Sequence, residues 1–209
     1  MKILAVGFNY PSHKNESSSI SSKILSPSSD PIIFHKGDSL HRLGHPYYIP
    51  DWTNELEYEA EIVVQINRVG KCIAERFAHR YYDNLSIGID FTARDLQREA
   101  IKRGEPWTRS KAFDGSAVVG EWINKQELSF PDKAVELKLE CDNQLIQHAY
   151  SDEMIHSIDQ IIAYISQQHT LKIGDLIFTG TPAGVGACKI GQKLVGYLNQ
   201  HKLLELVLK

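Results

Sequence analysis

Four glutamates recur at every second position of NELEYEAEIVVQI, at Glu55, Glu57, Glu59 and Glu61, and the run then passes straight into the apolar, β-branched segment Ile62 to Val64. A period of two is that of an extended strand, in which alternate side chains share a face. Up to four carboxylates therefore line one side while Leu56, Tyr58, Ala60 and Ile62 take the other. Such a face repels itself. It is tolerable where its first half is solvated, or where a cation is held at the end that becomes buried. The pattern thus assigns Glu55 and Glu57 to solvent and Glu59 and Glu61 to a cation site. Taken alone, an acidic strand end is more often a wet sheet edge.

At 209 residues the chain fits one domain, 1–209, long enough to bury a core without staples. Hydrophobic residues make up 42% and the net charge is -3, which gives no electrostatic case for nucleic acid or an anionic membrane and leaves a small molecule as the expected partner. Cys72, Cys141 and Cys188 are odd in number, far apart and without a C-x-x-C pair, so neither a disulfide framework nor a thiolate zinc site is suggested. A cytoplasmic setting is expected. The opening MKILAVGF is too short for a signal core or a membrane span and reads as a first strand. The serine-rich stretch 17–30 has little to bury and is expected to be a mobile surface loop, either a tolerated insertion or a lid over ligand.

Strands are predicted at PIIFHK, at LEYEAEIVVQINRV as one long arm, at LSIGIDFTA, Val118 to Trp122, Val135 to Cys141, Leu176 to Thr179 and Leu203 to Leu208. A short helix is predicted from Glu75 to Tyr82. A second runs over Arg94 to Arg103 and stops at Gly104, and a third over Ser157 to Gln168 with Ser157 as its cap. Many strands and few helices, without regular alternation, predict an α+β, predominantly β fold built on mixed or antiparallel sheet.

Asp90, in SIGIDFTARD, shares strand parity with Ser86, Gly88 and Thr92 and leaves the apolar face at a strand end. With Glu59 and Glu61 it makes three oxygen ligands, a set that selects Mg²⁺ or Mn²⁺, with Ca²⁺ a third candidate. His13 and Glu16 stand three apart, the spacing of a histidine oriented by a carboxylate to activate water, and also that of an ordinary surface pair. Lys111, between Trp107 and Phe113, is suited to balancing a carboxylate cluster or an enolate; the plainer reading is a surface lysine with a buried stem. The turn FTGTPAGVG lacks both nucleotide-binding orders and suits a carboxylate or a purely structural role. His41 and His45 lack a third ligand and read as loop histidines.

In order along the chain, GFNYPSHKNE, PIIFHK, YEAEIVV, GIDFTARDLQ, WTRSKAFDG and LKIGDLIFTGTPAGVG resemble the fumarylacetoacetate hydrolase superfamily, in its short acylpyruvase-like or 2-hydroxyhepta-2,4-diene-1,7-dioate isomerase-like branch. The resemblance implies a mixed β-sandwich roll and a homodimer. It implies metal ligation by Glu59, Glu61 and Asp90, water activation by His13 and Glu16 on a lid, a catalytic Lys111, and substrate contacts from Arg94, Gln97 and Thr181. Two departures stand out: Lys36 is followed by Gly37 where the family commonly has proline, and Pro11 precedes the histidine.

The activity implied is metal-dependent hydrolysis of a C–C bond in acylpyruvate-type 2,4-dioxo acids through a metal-bound pyruvate enolate. The same enolate serves oxaloacetate decarboxylation or tautomerisation and 2-hydroxydienedioate isomerisation. A reading of another class is a non-catalytic metal-dependent small-molecule binding protein.

Overall fold

The computed structural model describes residues 1–12 and 30–209. Eight strands form the largest sheet. Seven lie in the order Ile32–His35, Ile3–Gly7, Leu176–Phe178, Ala60–Ile66, Tyr82–Asp90, Ala117–Val119 and Leu40–His41, and Ile123–Asn124 adds to the early part of Tyr82–Asp90. The first strand runs parallel to Leu176–Phe178 and Leu40–His41 parallel to Ala117–Val119; the other pairings in this sheet are antiparallel. A second, antiparallel sheet orders Gln144–Tyr150, Glu136–Cys141, Lys193–Leu198 and His201–Val207. A small third sheet joins Gly186–Ala187, Leu56–Tyr58 and Thr92–Ala93. The fold is α+β and mostly β, with short helices.

Strand parity sorts the core. Ile62, Val64, Ile66, Ile87 and Ile89 face one way and meet Leu137, Leu139, Leu194 and Leu204 of the four-stranded sheet in the main apolar cluster. Val63 faces the other way, into a smaller cluster with Ile3, Ala5, Ala117, Leu176 and Phe178. The helix Ile158–Gln168 turns Ile158, Ile161, Ile162 and Ile165 into the main core at helical spacing. Its N-terminus is a capping box: Ser157 Oγ accepts from Gln160 N at 3.2 Å and Gln160 Oε1 accepts from Ser157 N at 3.0 Å. Gly104 closes the helix Arg94–Arg103 with φ 67°, a left-handed conformation that costs glycine nothing.

Two predicted elements differ. The single long arm over LEYEAEIVVQINRV is two strands, Leu56–Tyr58 and Ala60–Ile66, which leave Glu59 between them and enter different sheets. The helix predicted over Glu75 to Tyr82 is one turn, Glu75–Ala78, because Tyr82 is already claimed by the strand Tyr82–Asp90. The serine-rich loop falls outside the described residues, apart from Asp30. Among the described residues no helix is long and apolar enough to cross a membrane.

Candidate active site

The break at Glu59 assembles the site. Asp90 N donates to Glu59 O at 2.8 Å, so the two residues face each other where their strands part, and Glu61 is set opposite Gly88 one pleat further in. Parity then puts all three carboxylates on one face, and an oxygen from each lies within 4.8 Å of the others, all buried. Burial raises the Glu61 carboxyl well above the usual carboxylate range, and the charges of Asp90 and Glu59 push it further; Lys111 and the Gly180 amide act the other way. An all-oxygen set that strains in this way fits a hard divalent cation, which would hold all three side chains in their charged form.

Two lysines stand on the same cluster. Lys111 Nζ donates to Glu59 Oε2 at 2.7 Å, Asp90 Oδ2 at 2.8 Å and Thr92 Oγ1 at 2.6 Å, and lies 5.2 Å from the centre of the Phe34 ring. Burial pulls its pKa down, but Asp90 and Glu59 outweigh burial and the net shift is upward, so Lys111 is an ammonium ion. The plainer reading of it as a surface lysine fails: the whole side chain is inside. Lys36, wholly buried, donates to Asp90 Oδ1 and to Lys111 O at 2.6 Å, and burial lowers its pKa. Lys36 thereby ties the Asp90 carboxylate to the backbone that carries Lys111. The sequence reading treated it only as half of a family motif; a lysine closing the apolar strand Ile32–His35 was the available signal.

The helix Arg94–Arg103 supplies the next layer. Arg94 Nε donates to Glu57 Oε2 at 2.5 Å, while its two terminal nitrogens donate to Glu59 Oε1 and Gln97 Oε1. Gln97, whose Oε1 accepts from Arg94, also lines the pocket. Arg98, one turn on, pairs with Glu55. Glu55 and Glu57 are therefore not the solvated residues that alternation predicted: the helix beside them neutralises both.

Thr181 lies in the turn after Leu176–Phe178. Its hydroxyl donates to Ala60 O at 2.9 Å and accepts from Gln147 Nε2 at 2.9 Å, which ties the turn to the strand Ala60–Ile66 and to Gln144–Tyr150. Gly180 donates to Glu61 Oε2 at 2.6 Å and sits at φ +99°, with Asn9 Cβ only 2.6 Å from where a Cβ would be. Asn9 closes that contact, giving Nδ2 bonds to Thr179 O at 2.8 Å and His156 O at 2.9 Å.

These groups open into one pocket lined by Val6, Gly7, Phe8, Phe34, Trp107 and the polar set Glu59, Glu61, Arg94, Gln97, Lys111 and Thr181. Phe8 holds a positive φ of 58° at its edge, a conformation uncommon outside glycine and frequent at ligand sites. His13 and Glu16 lie outside the described residues. His41, in the strand Leu40–His41, lies with Nε2 3.1 Å from His45 O and with its ring edge to face against Tyr47 at 5.3 Å.

A buried carboxylate triad with two lysines is thus set on a mixed, mostly antiparallel sheet. The profile described as Fumarylacetoacetate (FAA) hydrolase C-terminal matches residues 2–206, and the chain belongs to that family. The human mitochondrial oxaloacetate tautomerase FAHD1 is 34% identical over 208 residues, 99% of this chain and 90% of the relative. The oxaloacetate tautomerase YcgM of Escherichia coli is 32% identical over 99% of this chain and 92% of its own. Among solved structures, a fumarylpyruvate hydrolase from Pseudomonas aeruginosa in complex with Mn²⁺ and pyruvate superposes with a TM-score of 0.89 at 29% identity, covering 100% of this chain and 89% of that one.

Proposed function

We propose that this chain is a divalent-metal-dependent enzyme that interconverts the keto and enol forms of a 2-oxo acid of the oxaloacetate type. The observation that carries the reading is the buried triad Glu59, Glu61 and Asp90 with the Lys111 ammonium bonded to two of its members. The name shared by the human and Escherichia coli relatives supports the reaction, and the Mn²⁺ and pyruvate of the Pseudomonas aeruginosa neighbour support the cation and the acid.

Glu59, Glu61 and Asp90 are the residues to hold the cation, Mg²⁺ or Mn²⁺. When bound, it would supply Lewis-acid polarisation of the 2-oxo group and so acidify the neighbouring C–H, whose proton passes to solvent water and is returned to the enol oxygen. The charges favour an anionic substrate. Glu57, Glu59, Glu61 and Asp90 face Lys36, Arg94 and Lys111, one negative charge in excess, and a divalent cation turns that excess positive. Lys111, fixed as an ammonium ion by Glu59, Asp90 and Thr92, sets its positive charge beside the oxygen on which enolate charge develops, and the Gln97 amide on the pocket lining is the proposed donor. Phe34 and Trp107 keep one wall of the pocket apolar, which strengthens each of these interactions.

Hydrolysis of acylpyruvates, the activity implied by the family resemblance, is the second reading, favoured by the name of the Pseudomonas aeruginosa neighbour. It adds one requirement, a base for water, for which His13 and Glu16 are the proposed pair. Oxaloacetate interconversion is followed by the enol absorbance, and acylpyruvate cleavage by pyruvate release, each with Mg²⁺ or Mn²⁺ and again with EDTA. Metal-independent turnover defeats both readings. Loss of cleavage in His13→Ala with tautomerisation retained assigns both activities to the one site; pyruvate release without tautomerisation leaves hydrolysis alone.

A further inference from the structure

Of the strand Gln144–Tyr150, only Gln147 and Ala149 are buried. Gln147, 1% exposed, stands opposite Leu139 on the face that packs the main core, a place where an apolar residue is expected. The pairing jumps from Leu139 with Gln147 to Glu140 with Leu145, so Ile146 is an extra residue, a bulge that re-aims its neighbour. An amide is buried at a cost unless its polar atoms are bonded. Here they are. Oε1 accepts from Ala60 N at 2.9 Å, and Nε2 donates to Thr181 Oγ1 at 2.9 Å and to Pro182 O at 3.1 Å.

The sheet explains why Ala60 needs such a partner. The strand Leu176–Phe178 pairs with Ala60–Ile66 only as far as Val63, and Thr179 N extends the ladder by one bond, to Ile62 O at 3.1 Å. Beyond that point the buried N–H and C=O of Ala60 would be orphaned. Side chains continue the ladder instead: Gln147 takes the N–H, Thr181 Oγ1 bonds the C=O at 2.9 Å, and Gln147 and Thr181 bond each other, closing a ring of three residues. Gly184 shows how tightly the chain beyond the turn is pressed on the bulge, with Ile146 O 2.1 Å from where its Cβ would lie.

Ala60 is the residue between Glu59 and Glu61, and the turn held by Gln147 is the one whose Gly180 amide bonds Glu61 Oε2 at 2.6 Å. We infer that Gln147 is a positioning residue for the cation site: from the second sheet it sets the spacing of Glu59 and Glu61 at the strand break and holds the turn that steadies Glu61. It does not line the pocket and acts only through Ala60, Thr181 and Pro182. The inference rests on the cation site of the proposed function and extends that site to a sheet that carries none of its ligands.

The test is titration of the metal-free protein with Mn²⁺ by calorimetry, together with the electron paramagnetic resonance spectrum of the bound ion. Gln147→Met keeps the length of the side chain and removes all three bonds. Mn²⁺ affinity is expected to fall about tenfold to a hundredfold, as on loss of an outer partner of a metal ligand, and the spectrum to change. Thr181→Val opens the same ring from the other side and is expected to lose affinity likewise, which keeps the test decisive should Gln147→Met fail to fold. Ser166→Ala removes a buried bond outside the site, Ser166 Oγ accepting from Ile73 N at 2.8 Å, and is expected to lower the thermal transition with Mn²⁺ affinity unchanged. Parental affinity and spectrum in folded Gln147→Met or, failing that, in Thr181→Val, or an equal loss in Ser166→Ala, overturns the role of Gln147 and leaves the proposed function standing. Failure of the parent chain to bind Mn²⁺ overturns both.

Discussion

Glu55 and Glu57 obey the same alternation as Glu59 and Glu61, yet the two pairs meet opposite fates. The first pair lies beside the helix Arg94–Arg103, where Arg98 and Arg94 meet their charges near solvent. The second pair lies at and past the strand break, buried on the face turned away from the four-stranded sheet, where three carboxylates share two lysines and the inner one is left protonation-prone. Partly exposed ion pairs of the first kind contribute little to stability. Buried charges of the second kind cost stability unless each is compensated, which is the arrangement expected of a site kept for chemistry.

The largest effect in that comparison belongs to Lys111. Lys111→Met keeps the volume but removes the cation that Glu59 and Asp90 share, leaving them to Arg94 and Lys36; breaking a buried charge pair in this way costs about 3–5 kcal/mol. Urea unfolding of the metal-free protein measures it. The loss should shrink when Mg²⁺ is added, because the cation replaces the missing charge, while activity stays lost in either condition. An unchanged denaturation midpoint in the absence of metal would place Lys111 outside the charge balance.

Glu61→Gln breaks the comparison in the other direction. Glutamine accepts the Gly180 amide as the carboxylate does, yet removes one of three mutually repelling charges. The metal-free variant is therefore expected to be as stable as the parent or more so, whereas the thermal shift produced by Mg²⁺ or Mn²⁺ disappears and activity falls by about a hundredfold or more. A variant that is destabilised without metal and still shifted by it contradicts the assignment of Glu61 as a ligand.

These contrasts mark how far the sequence carries. The helix Arg94–Arg103 with its Gly104 stop and the helix capped by Ser157 were legible, because their signals are local: spacing, a cap and a left-handed glycine. The three carboxylates were legible as a set through strand parity and the family motif together. The break at Glu59 was not, since it is imposed by partners far along the chain, Thr92–Ala93 and Gly186–Ala187. The strands Gln144–Tyr150 and Lys193–Leu198 escaped for related reasons. One is studded with glutamines, of which Gln147 turns inward to bond Ala60 N at 2.9 Å. The other carries Gly196, whose missing side chain is explained only by Ile87 of the facing sheet, 2.9 Å from where a Cβ would be. Arg94, expected as a substrate contact, lines the pocket with its guanidinium bonded to Glu57, Glu59 and Gln97, a network that no single segment announces.

Asp175 provides a control for the cluster, a buried carboxylate that is fully compensated. It accepts from Lys2 N and Lys172 N at 2.8 Å each and pairs with the Lys2 ammonium, joining the first strand to the turn before Leu176–Phe178. Burial raises its pKa, but the Lys2 and Lys172 donors prevail and hold the carboxyl below its ordinary range. A carboxyl depressed in the folded state contributes stability that is fully present above the unfolded value and is lost as pH falls through the folded one. Asp175→Asn is expected to cost about 1–3 kcal/mol at pH 7 and to flatten the acid limb of the stability profile below about pH 4. A parallel loss at every pH would show that the contribution comes from hydrogen bonding alone.

The smallest effect should come from the outermost member of the glutamate series. Glu55 is a third exposed on its side chain, and Arg98, its partner, is more exposed still, at 33% and 42%. Its carboxyl is held below the usual range by the Arg98 hydrogen bond first, with the nearby guanidinium charges adding to it. Exposed pairs of this kind contribute about 0.2–1 kcal/mol and are screened by salt. Glu55→Gln is therefore expected to lower the unfolding free energy by less than about 1 kcal/mol at low ionic strength, to lose most of that difference in about 1 M salt, and to leave the Mg²⁺-induced thermal shift intact. If it instead abolished the metal response, the division of the alternating glutamates at the strand break would be drawn in the wrong place, and the cation would be shared along the whole acidic face.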